Sequence, residues 1–221
     1  MAAPSRLHDL GPYGLVLSPR KLTLDMSTLD MLNILRETSG YLWVALWLIW
    51  LVSARTAKRT VQKQSLKSRL VQNTPVIVAF TLLFAHDLWP HWLRWRLFPE
   101  SDITPMWIGL ALTVAGLGFA LWARFRIGNN WSGTVTLKEQ HELIQNGPYA
   151  IVRHPIYTGL LLAFLGTAIV HGDVRGFVGF PLVVLGWGLK MRTEESFMVQ
   201  QFGEAYLAYK KRVKTLVPFV V

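Results

Sequence analysis

Five apolar stretches separated by polar ones set the rhythm of this chain. The first 28 residues mix Pro4, Gly11, Pro12, Gly14 and Pro19 with short apolar pieces, which predicts an irregular or interfacial leader. From Leu29 the pattern turns helical, and 41–54 is almost purely apolar. With its N-terminal approach it reaches the ~20 residues that cross a ~30 Å hydrocarbon core. Trp43, Trp47 and Trp50 recur at three- and four-residue spacing, a one-faced stripe for packing or lipid contact. The second run, 71–92, ends among His86, Asp87, Trp89, Pro90, His91 and Trp92, in the manner of an interfacial aromatic belt. The third, 105–125, is capped by Arg124 and Arg126, and its Gly109, Gly116 and Gly118 suit close helix contact.

The last two runs, 156–170 and 176–189, are short and are joined by His171, Gly172, Asp173, Val174 and Arg175. Extended at their polar ends they predict a tight antiparallel hairpin. The expected fold is all-α and polytopic: one membrane domain over 1–221, with about five transmembrane helices. It divides into the leader 1–28, three helices within 29–126, and a cofactor-binding catalytic region over 127–221, whose pocket lies at the cytoplasmic face.

Composition supports a membrane setting. Hydrophobic residues make up 52% and charged residues 16%, against roughly 25% charged in soluble domains. The absence of cysteine excludes disulfides, thiolate zinc sites and cysteine nucleophiles. Residues 1–21 lack the pattern of a cleaved signal peptide. The net charge of +10 is concentrated in 55–69 (Arg55, Lys58, Arg59, Lys63, Lys67, Arg69, no acid) and in Lys210, Lys211, Arg212 and Lys214. Short loops this basic belong in the cytoplasm. Five crossings place both there, facing anionic lipid rather than nucleic acid. His86 and His91 are five residues apart with no further ligand nearby, so the cluster with Asp87 reads as interfacial and no metal is expected.

Candidate chemistry gathers at the ends of the hairpin. Pro148 and Pro155 remove backbone donors and bias Gly147 and His154 away from helix, so 146–155 reads as a shaped loop. Pro155 suits the first turn of the next helix, whose free N–H groups favour an anionic group. Tyr149 and Tyr157 offer flat faces for a purine or a pocket wall. On the exit helix Lys190 and Glu194 share a face, with Arg192 and Glu195 pointing elsewhere. Folding the hairpin brings 149–157 beside 190–195 in a concave site open to water and lipid. Arg153 and Arg192 also read as headgroup anchors, and Glu194–Lys190 as a surface ion pair.

Gly147-Pro148-Tyr149, Arg153-His154-Pro155-Ile156-Tyr157-Thr158-Gly159, Glu194-Glu195, Phe202-Gly203-Glu204 with Tyr206 and Tyr209, and Pro218-Phe219 resemble the isoprenylcysteine carboxyl methyltransferase family from about 129 to 219. The resemblance implies a membrane methyltransferase using S-adenosylmethionine. The cofactor would be gripped by His141, Glu142, Leu143, Ile144, Tyr149, His154, Pro155, Ile156, Tyr157 and Glu194. The family's arginine for the methyl-accepting carboxylate is replaced by Lys190, with Arg192 two residues on, so the catalytic set reads Lys190, Arg192, Glu194 and Arg153. Lysine keeps the charge and loses the bidentate fork. The implied partner is a prenylated or other lipophilic acceptor. Alternatives are methyl transfer to a lipid amine or another small lipophilic acceptor, and an NADPH-dependent membrane reductase of the sterol reductase type.

Overall fold

The computed structural model describes residues 26–54, 60–99, 102–131, 136–138 and 142–218. The leader expected over 1–28 lies mostly outside them, and helix α1 already begins at Met26. α1 (Met26–Ala54), α2 (Leu66–Phe84) and α3 (Thr104–Ile127) precede a one-turn helix α4 (Pro148–Ile151). Then come α5 (Pro155–His171), α6 (Val174–Phe202) and α7 (Glu204–Arg212). The second apolar run stops earlier than 92, at Phe84, and continues as two short 3-10 turns, His86–Leu88 and His91–Arg94, on either side of Pro90. The mostly helical expectation holds, with one addition. A two-stranded antiparallel ribbon pairs β1 (Thr60–Lys63) with β2 (Thr136–Lys138) and ties the basic loop after α1 to the polar segment after α3.

Glycine decides which helices meet. A Cβ on Gly159 would sit 2.5 Å from the Gly116 carbonyl oxygen, and one on Gly166 2.5 Å from that of Gly109. These four positions, seven residues apart on each helix, let the backbones of α3 and α5 touch. Gly118 has nothing within 4 Å, so two of the three glycines expected at a contact are there. α5 thus packs most closely on α3, while α6 lies along α2 through Gly179 and Gly186, so the hairpin legs are not each other's chief partners. α1 closes the bundle, with Leu32 and Leu35 against Met106 and Val170, and Leu46 against Leu117 and Ala163.

The outside of this bundle is apolar. Trp107, Ile108, Val114, Trp122 and Phe125 of α3 are all exposed while its Gly109 and Gly116 face inward, the inverse of a soluble helix. Two helices, Thr104–Asn130 and Val174–Phe202, are long and apolar enough to cross a membrane, and α5 is a shorter apolar helix of 17 residues. By that measure two of the five expected crossings are met among the described residues.

Candidate active site

α3 ends, and α5 begins, at the same end of the bundle. Gly147 adopts a left-handed φ of 62°, which lets the chain turn into α4, and Tyr149 and Ala150 donate back to the carbonyls of Asn146 and Gly147. Val152 is extended and forms a bridge with Lys214. Arg153 and His154 donate their backbone N–H groups to the carbonyls of Lys214 (2.7 Å) and Thr215 (3.0 Å), and the Thr158 hydroxyl donates to that of Leu216 (2.8 Å). The C-terminal segment thus straps the 152–158 loop in place, and Pro155 occupies the first turn of α5 as its chemistry suggests.

Side chains complete the strap. Arg153, with 8% of its side chain exposed, donates Nε to Glu195 Oε1 at 2.8 Å and Nη2 to Thr215 Oγ1 at 2.8 Å. Its Nη1 reaches the carbonyls of Val213 and Lys210. Glu195 also takes Lys210 Nζ at 2.6 Å and lies 3.3 Å from His154 Nε2. Glu195, expected to point elsewhere, is therefore the hub beneath the loop. α6 continues unbroken past residue 189, and the step from Glu194 to Glu195 turns about 100° around it. Arg153 thus clamps the tail to the loop.

Above this base lies a cavity of about 550 Å³. Of the expected cofactor residues, Glu142, Leu143, Ile144, Tyr149, His154, Pro155, Ile156, Tyr157 and Glu194 all line it, together with Lys190 and Arg153. Arg192 is exposed on α6 and does not line it. His141 lies outside the described residues. Tyr157 donates its hydroxyl to Glu194 Oε1 at 2.6 Å, His154 Nδ1 stands 3.6 Å from Glu194 Oε2, and the Lys190 ammonium lies over the Tyr157 ring at 5.9 Å. Tyr149 is buried: its carbonyl accepts from the Tyr209 hydroxyl at 2.6 Å. Burial, reinforced by Glu194 and Tyr209, holds its phenol well above the usual tyrosine range. It packs as a wall and stays neutral.

Several walls were not anticipated. Trp131 stacks under the Arg124 guanidinium (4.4 Å) and edges Trp50 of α1 at 6.0 Å, while Trp187, Met198, Tyr206 and Tyr209 close the other sides. The tryptophans were legible as a stripe on α1, but no local pattern said that this stripe faces the cavity. Trp47, Trp50, Leu160 and Trp187 also line a second, almost wholly apolar groove of about 860 Å³ that runs along α1 to Tyr41, Phe80 and Phe84. A chamber of mixed polar and apolar lining and an apolar groove thus share one neck. The chamber has the size and mixed lining of a small-molecule site, and Glu194 supplies an anchored acceptor for a ligand's N–H or O–H groups.

Comparison with known proteins points the same way. Residues 104–205 match the phospholipid methyltransferase family pattern. The protein-S-isoprenylcysteine O-methyltransferase of Dictyostelium discoideum is 27% identical over 165 residues, 71% of this chain and 66% of that protein. The human protein of the same name is 35% identical over 139 residues, 58% of this chain and 49% of the human protein. The solved structure of a eukaryotic intramembrane Ras methyltransferase, an isoprenylcysteine carboxyl methyltransferase, is 26% identical. It covers 72% of this chain and 55% of that one, with a TM-score of 0.44. The chain thus spans about half to two thirds of the length of these relatives. In sequence it is similar to proteins named protein-S-isoprenylcysteine O-methyltransferase.

Proposed function

We propose that this chain is an S-adenosylmethionine-dependent methyltransferase that esterifies a carboxylate on a lipophilic acceptor. The observation that carries the reading is the shared neck, where a nucleoside-sized chamber of mixed lining meets an apolar groove at Trp47, Trp50, Leu160 and Trp187. A water-soluble cosubstrate and a lipid-borne one can meet there and nowhere else among the described cavities.

S-Adenosylmethionine supplies a methyl carbon activated by its sulfonium. The donor set suits it: Glu194, oriented by the Tyr157 hydroxyl, accepts N–H or O–H groups, and Tyr157, Trp131 and Trp187 offer apolar walls. An acceptor carboxylate is already ionised at neutral pH, so no general base is needed. An oxygen lone pair of that carboxylate forms the new C–O bond as the C–S bond breaks, and the bonding pair stays on sulfur. The protein's work is alignment, a contribution that can reach about 7–11 kcal/mol. Lys190, one helical turn from Glu194, holds the acceptor's oxygens while the groove takes its apolar tail. Arg192, exposed, serves as an interfacial anchor.

The setting follows from charge. The ribbon brings residues 60–63, within the basic stretch 55–69, to the end of the bundle where the cavity opens, and the Lys210–Lys214 tail lies there too. A polytopic arrangement with the site at the cytoplasmic border accounts for both. A phospholipid acceptor is the second reading, suggested by the phospholipid methyltransferase pattern over 104–205. Calorimetry on the detergent-solubilised protein tests the cofactor. Micromolar binding of S-adenosylhomocysteine, weakened in Glu194→Ala and His154→Ala, supports methyl transfer; NADPH binding alone eliminates it. Methyl-labelled cofactor with carboxylate- and amine-bearing lipids then separates the acceptors, and Lys190→Ala should depress turnover more than cofactor affinity.

A further inference from the structure

α5 carries the chain about 25 Å, at 1.5 Å per residue over its 17 residues, to the opposite end of the bundle. There the segment after the two 3-10 turns is zipped to the α5–α6 turn. Leu97 donates to the Gly172 carbonyl (2.8 Å), Val174 to that of Trp95 (3.0 Å), and Arg96 Nη1 to that of His171 (3.3 Å). These bonds hold open a cavity of about 680 Å³ lined by His91, Trp92, Arg94, Trp95, Arg96 and 97–99. Among the described residues that line it, none carries a carboxylate. Asp173 nearby is engaged by Arg175 in a buried ion pair, and Asp87, 4.0 Å from Arg94, is 93% exposed. Arg94 donates Nη2 to the Trp89 carbonyl at 3.3 Å, and its Nε is buried with no acceptor among the described residues.

We infer that this cavity binds the phosphodiester of a membrane phospholipid, with Arg94 and Arg96 as the donors. Arginine's planar fork matches phosphate oxygens. Trp92 and Trp95, 69% and 77% exposed, rim the pocket at the level where indoles settle beside glycerol and headgroups, and Leu97 extends the apolar edge. The topology sharpens the point. On the side away from the basic 55–69 loop, arginines are selected against, yet Arg94 and Arg96 are built into a fixed turn there. The cavity also exceeds what a lone phosphate ion fills, and its exposed indoles have no use for one. The site is separate from the catalytic chamber and does not depend on the methyl-transfer reading.

Native mass spectrometry of the delipidated protein tests it, using phosphatidylglycerol, a diacylglycerol with the same chains, and Arg94→Gln/Arg96→Gln. The expected result is one phosphatidylglycerol retained over diacylglycerol, with affinity reduced at least about tenfold in the double variant. Lys211→Gln, at the other end, should leave it unchanged, and S-adenosylhomocysteine affinity should be the same in all variants. Equal retention of diacylglycerol, or undiminished lipid binding by the double variant, overturns the site. Calorimetry with inorganic phosphate that matches the lipid's affinity overturns the lipid assignment. If the double variant does not fold, Arg94→Lys decides: it keeps the charge, loses the fork, and should still bind more weakly.

Discussion

Replacing Glu195 with glutamine removes the carboxylate that holds Arg153 and Lys210 together, beside His154, beneath the site. Its carboxylate, 14% exposed, binds Arg153 (8% exposed) at 2.7 Å and Lys210 at 2.6 Å, and lies 3.3 Å from His154. Breaking a buried ion pair by neutralising one partner costs about 3–5 kcal/mol, because the other charge stays buried. Arg153 keeps its bonds to Val213, Lys210 and Thr215, and glutamine retains one acceptor oxygen, so the low end of about 3 kcal/mol applies. Lys210, with 35% of its side chain exposed, adds little. The loss falls on the contact between the tail 213–216 and the loop that carries His154, Pro155 and Tyr157 into the cavity. Glu195→Gln should therefore lower the thermal midpoint and weaken S-adenosylhomocysteine binding by about 10–100-fold, at 1.4 kcal/mol per decade. Calorimetry and thermal unfolding of the same detergent-solubilised sample read both, with exposed Glu204→Gln as the control. An affinity within about twofold of wild type and an unmoved midpoint would refute the coupling of strap to cofactor loop.

Tyr157→Phe deletes a 2.6 Å hydrogen bond to the Glu194 carboxylate. Bonds to charged groups contribute about 1.5–3 kcal/mol, so S-adenosylhomocysteine affinity should drop about tenfold or more by titration, with the fold intact. Gly159→Val should lower the thermal midpoint sharply. Its Cβ would lie 2.5 Å from the Gly116 oxygen and 2.6 Å from the Ala120 nitrogen, forcing α3 and α5 apart; an unchanged midpoint would show that contact to be loose. Burial, partly countered by Arg153 and Arg212, pushes the Tyr209 phenol up to about 12. A raised folded pKa means stability that is fully present below the unfolded value of about 10 and is lost as pH rises from there through about 12. Thermal midpoints measured across that window should fall, and Tyr209→Phe should flatten the decline; a parallel decline in the variant would assign it to other groups.

Much of this molecule is written locally. The apolar runs, Gly109 and Gly116 on α3, and the prolines at 148 and 155 dictate helices, a face for close helix contact and a shaped loop. The three- to four-residue helical repeat places Lys190 and Glu194 on one face, and both line the cavity. Azimuth on a helix is a local property, so these followed without knowledge of the rest of the chain.

What faces that azimuth is not local. Glu195 became the hub because the tail some twenty residues later folds back to present Lys210 and to accept the Arg153 side chain, and no periodicity encodes that return. The neck likewise needs α1 to lie against α3 and α5, so that Trp47 and Trp50 meet Trp187 and Leu160 from a segment more than a hundred residues away. Sequence therefore determined the apolar helices, the loop chemistry and the pair Lys190–Glu194. Tertiary packing alone decided which side chains brace that chemistry, because bracing depends on contacts between distant segments, which the repeat of any one helix does not specify.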